Sequence, residues 1–257
     1  MVSDMPAQVS FQARKGKGAA AAARDAPCCA HYGEIMSEPA RLQVQILPVT
    51  PFQQNTSLVW CARTREAAFV DPGGETARLI AAADAARVTV RAIWLTHGHL
   101  DHAGAASALA RHYGAPIVGP HRDDEWLLQS IPEQGARWGM PEAEACSPDR
   151  WLEDGEILTL GDHAFGVAHC PGHTPGHVVI HNQQAGLAFV GDVLFKGSIG
   201  RTDFPRGDFG QLVGSITAKL WPLGEAMQFI PGHGPMSTFG WERKTNPFVS
   251  DLALAQG

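Results

Sequence analysis

The segment VRAIWLTHGHLDHAG, residues 90–104, sets an apolar run directly against three histidines and an aspartate within six positions. A short apolar run of this kind reads as a buried strand, and the alanine-rich HAGAASALARHYG behind it reads as a helix stopped by Gly114. Four potential ligands therefore leave the C-terminal end of one strand together. His97 and His99, spaced i, i+2 on a short extended turn, can converge on one ion, while Asp101 and His102 point elsewhere and can serve a neighbouring one. Taken singly, each could be a surface side chain, and Asp101 a cap for the helix that follows. Taken together, they point to a metal centre.

The strand signal recurs on both sides of this cluster. LQVQILPV, TSLVWCA and EAAFVD read as three successive strands closed by PGG at 72–74, followed by the helical pattern ETARLIAAADAA and, past Gly114, the strand APIVGP. Residues 123–150 suggest a helix and a polar, Pro-broken surface loop. A second series of strands then follows in EILTL, FGVAHC, HVVIHN and LAFVGD, with a helix near 208–220, the strand AMQFIP and a short C-terminal helical stretch. Two sets of strands, each accompanied by helices, predict an α/β fold with two sheets face to face and helices outside.

The first 40 residues carry no steady period of either 2 or 3.6, so we expect a flexible N-terminal leader or extension at 1–40 and a catalytic domain at 41–257, with Met36 as an alternative start. The chain has 257 residues, a formal charge of -6 and five scattered cysteines. The acidic balance offers no general attraction to nucleic acid or an anionic membrane, and an odd cysteine count is unlike a secreted disulfide framework. No stretch approaches the roughly 18 apolar residues of a membrane span. These features imply a cytoplasmic protein acting on a small molecule.

Three further positions are ambiguous alone: His173 in the turn CPGHTPGH, Asp192 at the end of GLAFVGD, and His233 in IPGHGP. Their order along the chain, with THGHLDH, resembles the HxHxDH pattern of the metallo-β-lactamase superfamily over nearly all of residues 41–240. The resemblance implies a four-layer α/β/β/α sandwich with a dinuclear site at one edge of the two sheets. It implies that His97, His99 and His173 bind one metal, that Asp101, His102 and His233 bind the other, and that Asp192 bridges them. Asp71 in FVDPGG would accept hydrogen bonds from beneath the HxHxDH loop, and His177 would support the site from behind. His112, His121, His163, His169 and His181 match no ligand position of the family.

Within the superfamily, FVGDVLFKGSIGRTDFPRGD at 189–208 is most similar to the glyoxalase II group and its compact YcbL-like branch. The resemblance implies two divalent ions, with zinc the first choice and iron or manganese the alternatives. It also implies hydrolysis of a small thioester, S-D-lactoylglutathione being the group's substrate, by metal-bound hydroxide attacking the carbonyl, with Asp101 and Asp192 in the catalytic centre. Arg201 would meet a substrate carboxylate, unless it serves the fold by pairing with Asp203 or Asp208. The 24 residues after His233 are too few for the helical domain that completes the glutathione pocket in longer members. Two other readings stand beside this one: a mono-iron persulfide dioxygenase using His97, His173 and Asp192, and a metal-binding structural protein without activity.

Overall fold

Residues 8–11 and 41–256 are described by the structure, a computed structural model. β1 (Gln8–Phe11), β2 (Leu42–Val49), β3 (Gln54–Cys61), β4 (Glu66–Val70), β5 (Thr89–Trp94) and β6 (Ile117–Val118) form one sheet in that order. β1 to β4 are antiparallel neighbours, whereas β4, β5 and β6 run parallel. Parallel neighbours need crossovers, and these are α1 (Thr76–Ala86) and the pair α2 (Leu100–Ala103) and α3 (Ala106–Tyr113).

After α4 (Glu125–Gln129) and α5 (Ile131–Trp138) come β7 (Ile157–Leu160), β8 (His163–His169), β9 (Val178–Asn182) and β10 (Leu187–Gly191). A small hairpin of β11 (Leu194–Phe195) and β12 (Ser198–Ile199) and then α6 (Phe209–Ser215) lead to β13 (Gln228–Pro231) and β14 (Ser237–Thr238). The second sheet has the order β14-β13-β10-β9-β8-β7, with β10 and β13 parallel. Two helices, α7 (Phe239–Thr245) and α8 (Asp251–Leu254), end the described chain.

Strand alternation sorts the core into three sections and makes the assembly a four-layer α/β/β/α sandwich. In β3, Leu58 and Trp60 face outward to Leu79 of α1 and Leu109 of α3, while Val59 faces inward. Between the sheets, Val44, Val59, Val70 and Trp94 meet Phe165, Ile180, Phe189 and Ile230, with the Trp94 and Phe165 rings 5.0 Å apart. On the far side, Val179, Ala188 and Phe229 pack against Leu212, Ile216 and Phe239.

Three local expectations change. The helix expected over 102–114 divides after Ala103, because the chain turns there so that the Ala105 N–H can reach the Pro72 carbonyl. The helix expected over 208–220 is α6 only to Ser215, and then widens into a π turn over Ile216–Leu220 before the Pro222 turn. In 123–150 the expected helix is present as two, α4 and α5, and what changes is that Asp124 ahead of them is fully buried. Most of the expected leader lies outside the described residues, but Gln8–Phe11 pairs with Leu42–Gln45, so the first sheet reaches back past residue 41. No helix among the described residues is long and apolar enough to cross a membrane.

Candidate metal centre

Every chemistry-bearing segment leaves the C-terminal end of a strand. Asp71 follows β4, His97–His102 follow β5, His173 follows β8, Asp192 follows β10 and His233 follows β13. Because β4 and β5 are parallel, and β10 and β13 likewise, their ends fall at one edge of the sandwich. The edge is stitched by Val178 N–H to the Thr96 carbonyl and Asn55 N–H to the Gly232 carbonyl.

His97, His99 and His173 converge, with His97 Nε2 2.9 Å and His173 Nε2 3.0 Å from His99 Nδ1. Outer contacts set the direction of these rings. His173 Nδ1–H donates to the Arg201 carbonyl at 2.7 Å. His97 Nδ1 lies 3.1 Å from Thr96 Oγ1, whose own proton goes to Asp71 Oδ2 at 2.6 Å, so His97 Nδ1 is the donor. Both Nε2 lone pairs then face inward, as a histidine with its other nitrogen on an oxygen does in metal sites. Burial pushes the His97 and His173 imidazoles below their ordinary range, and burial with the neighbouring His173 brings His99 down to about 3. All three are neutral donors at pH 7.

Asp101, His102 and His233 form the second convergence. Here His233 Nδ1 meets the Phe52 carbonyl at 3.1 Å, and its Nε2 is 3.2 Å from Asp101 Oδ2. His102 Nδ1 faces Asp71 Oδ2 at 2.9 Å. Burial works against a charge on His102, but Asp192 and Asp101 outweigh it and hold this imidazole well above its usual range. Burial likewise opposes charge on His233, and the Asp101 hydrogen bond raises it.

Asp192 lies between the sets, with Oδ1 3.4 Å from His102 Nε2 and Oδ2 3.6 Å from His173 Nε2 and 3.7 Å from His233 Nε2. Burial alone would raise its carboxyl, yet the charge of the facing His102 outweighs it and keeps the group far below the carboxylate range. The approach needs a glycine opposite: a Cβ on Gly232 would stand 2.1 Å from Asp192 Oδ1.

This arrangement fits divalent metal. The buried His102 Nε2 and Asp192 Oδ1 have no hydrogen-bond partner, an expensive state for buried polar atoms unless a cation meets them. In the three-histidine set a single His99 Nδ1 proton could satisfy only one of two inward lone pairs, so the trio is matched to a cation and not to itself. Imidazole and carboxylate donors suit zinc, iron and manganese.

The metallo-β-lactamase superfamily profile matches residues 49–233, which contain the whole donor set. The chain belongs to the metallo-β-lactamase superfamily. The hydroxyacylglutathione hydrolase GloC of Haemophilus influenzae is 48% identical over 210 residues, covering 81% of this chain and 99% of that one. Among solved structures, the B3 metallo-β-lactamase BLEG-1 superposes with a TM-score of 0.74 at 36% identity, over 80% of this chain and 99% of the other. TTHA1623 in a di-iron-bound form superposes with a TM-score of 0.72 at 35% identity, over 79% and 98%. These similarities set the chain in the glyoxalase II-like branch of the superfamily, and it is a metal-dependent hydrolase.

Around this superfamily site, Asp71 accepts from the Thr96 N–H at 2.7 Å and the Thr96 hydroxyl as well as facing His102. His177 is stacked on His97 at 4.6 Å, and its Nε2 accepts from the Asp192 N–H at 3.0 Å. Arg201 is exposed and forks onto Asp203 at 2.8 and 2.9 Å, its guanidinium 4.6 Å above the Phe204 ring. Phe204 in turn packs on His99 and His173. Another grouping, His121, Asp123 and His169, lies apart from the centre. There His121 Nδ1 accepts from the Asp123 N–H and its Nε2 faces Glu153, while His169 Nε2 donates to the Pro175 carbonyl.

Sequence reasoning passed over Asp124, Thr96, Thr174, Phe52 and Phe204. Thr96, Thr174 and Phe204 sit inside quoted motifs and could have been weighed there; Phe52 contributes only a carbonyl to His233, which no side-chain pattern announces.

Proposed function

We propose that this chain hydrolyses a small thioester, with S-D-lactoylglutathione the first substrate to test. What carries the reading is the pair of unequal donor sets sharing Asp192, in a chain similar to GloC over 99% of the latter's length.

On this reading His97, His99 and His173 hold one divalent ion and Asp101, His102 and His233 the other, with Asp192 between them. We propose zinc as the resident metal and keep iron and manganese as competitors, iron because of the di-iron form of the similar protein TTHA1623. Such ions supply Lewis acidity toward a carbonyl oxygen and acidify a water. The protein's own part is orientation: Arg201's carbonyl, Thr96 and Phe52's carbonyl fix three of the imidazoles, and His177 fixes the backbone at Asp192. Asp101 Oδ2 and His233 Nε2 face each other 3.2 Å apart on the more open side of the centre, so the ion they would hold is the one a water could reach. Arg201, next to Phe204 on the rim, would exchange Asp203 for a substrate carboxylate; an exposed pair is held weakly.

The remaining parts of the reading are a catalytic unit of residues 41–257, a cytoplasmic location, and a small molecule as the partner in place of nucleic acid or membrane. The similarity to GloC over 99% of its length weighs against the mono-iron dioxygenase. The test is anaerobic turnover of S-D-lactoylglutathione by protein of measured metal content, with His97→Ala as background. Efficient, His97-dependent cleavage supports the reading. Absence of cleavage by fully loaded protein, with ferrous-iron-dependent oxygen uptake on a persulfide, would replace it.

A further inference from the structure

Asp124 is a fully buried carboxylate placed by the turn that follows β6, just ahead of α4. Its Oδ1 accepts from the Gly176 N–H at 2.6 Å, and its Oδ2 accepts from the Gly98 N–H at 3.0 Å and the Thr174 hydroxyl at 2.7 Å. Gly98 is the residue between His97 and His99, and Thr174 is the residue after His173. One carboxylate thus clasps the two loops that carry the three-histidine set, one loop from each sheet.

The fit is close on both sides. A Cβ on Gly176 would stand 2.5 Å from the Asp124 nitrogen, and one on Gly98 would stand 3.2 Å from the Asp124 carbonyl oxygen. The His121 N–H also donates to the Gly176 carbonyl, so three hydrogen bonds join the 121–124 turn to the His173 loop. Burial pushes the Asp124 carboxyl up to about 6, with the three donors pulling it back. None of its hydrogen bonds goes to Asp101, His102, His233 or a residue adjacent to them.

We propose that Asp124 is a positioning residue for the three-histidine set alone: by locking Gly98, Thr174 and Gly176 it fixes the spacing of His97, His99 and His173 and so sets the affinity of the ion they hold. The inference rests on the metal-centre reading and not on the identity of the thioester.

Asp124→Asn keeps the volume but turns a donor toward either Gly176 or the Gly98 and Thr174 pair. Zn2+ dissociation constants for full-length protein are measured in two backgrounds: His233→Ala, where the three-histidine set binds alone, and His173→Ala, where the other set does. Adding Asp124→Asn should weaken Zn2+ by about 10–100-fold in the first background and leave the second unchanged. Thr174→Val, which removes one of the three bonds and keeps the carboxylate, should show the same selectivity with a smaller loss, and it decides the matter if Asp124→Asn does not fold. Unchanged affinity in the His233→Ala background, or equal loss in both, would overturn the proposal. Failure of the wild type to cleave the thioester leaves these constants as they are, whereas failure of both backgrounds to bind Zn2+ would overturn the metal-centre reading itself.

Discussion

The three-histidine set and the Asp101, His102, His233 set share one carboxylate but are built to different specifications. His97 and His173 are closed off from solvent, neutral, and held through Thr96 and Arg201. Asp101 and His233 keep 18% and 30% of their side-chain surfaces open, and His233 is supported by a single carbonyl in the β2–β3 turn. Burial and outer-contact support both reduce what an ion must reorganise, so the closed set should be the tighter one and the open set the one that water and substrate reach.

The largest effect should come from the residue common to both. Asp192→Asn removes the charge facing His102, His173 and His233 at once, so two-ion occupancy and hydrolysis should fall together, beyond the roughly 10–100-fold that losing an outer support costs. Metal analysis and steady-state kinetics on one preparation check this; full occupancy at an unchanged rate would remove Asp192 from the bridging role.

A graded chelator series separates the halves next. The ion of the open set should leave first, giving a one-ion form with most of its activity lost, and Zn2+ should restore it. His233→Ala should match that one-ion form in metal content. Loss of both ions in a single step, or a one-ion variant at full rate, would break the comparison.

How much of this was legible in sequence follows from which interactions are local. THGHLDH carries four donors in one loop, and its strand and helix signals lie beside it, so the site and its place at a strand end could be read directly. His173, Asp192 and His233, ambiguous one by one, became readable only through the resemblance of their order along the chain to the superfamily pattern. The strands were readable because alternation reports burial, and β3 alternates between two cores. Asp124 was not readable: HRDDEW resembles a solvated helix start, and only the approach of Gly98 from the first sheet and Gly176 from the second makes it a buried acceptor. The division after Ala103 was hidden for the same reason, since its cause is the distant Pro72 carbonyl.

The rim should respond more mildly than the donor sets. Arg201→Ala should raise KM by on the order of 2–5-fold with little change in kcat, since the guanidinium is exposed and its present partner is Asp203. Asp203→Ala frees the same fork and should leave KM equal or lower. If Arg201→Ala instead lowers kcat alone, its side chain acts on the closed set through Phe204, and the assignment to substrate falls.

The smallest effect should come from deleting residues 1–35. Gln8–Phe11 pairs with Leu42–Gln45, at the end of β2 away from the Phe52 turn that supports His233. Between that edge strand and β5, whose end carries the histidine loop, stand β2, β3 and β4. Removing an edge strand there exposes part of β2 without touching either donor set or the carbonyls that orient them. A 36–257 chain should therefore keep its metal content, kcat and KM, and its melting temperature should drop by no more than about 4 °C, the shift that 1 kcal/mol makes in a domain of this size. A larger thermal loss with intact kinetics would show that β1 contributes more to the stability of the first sheet than its edge position implies. Loss of metal from one set only would connect them to that set, by a route the described residues do not contain.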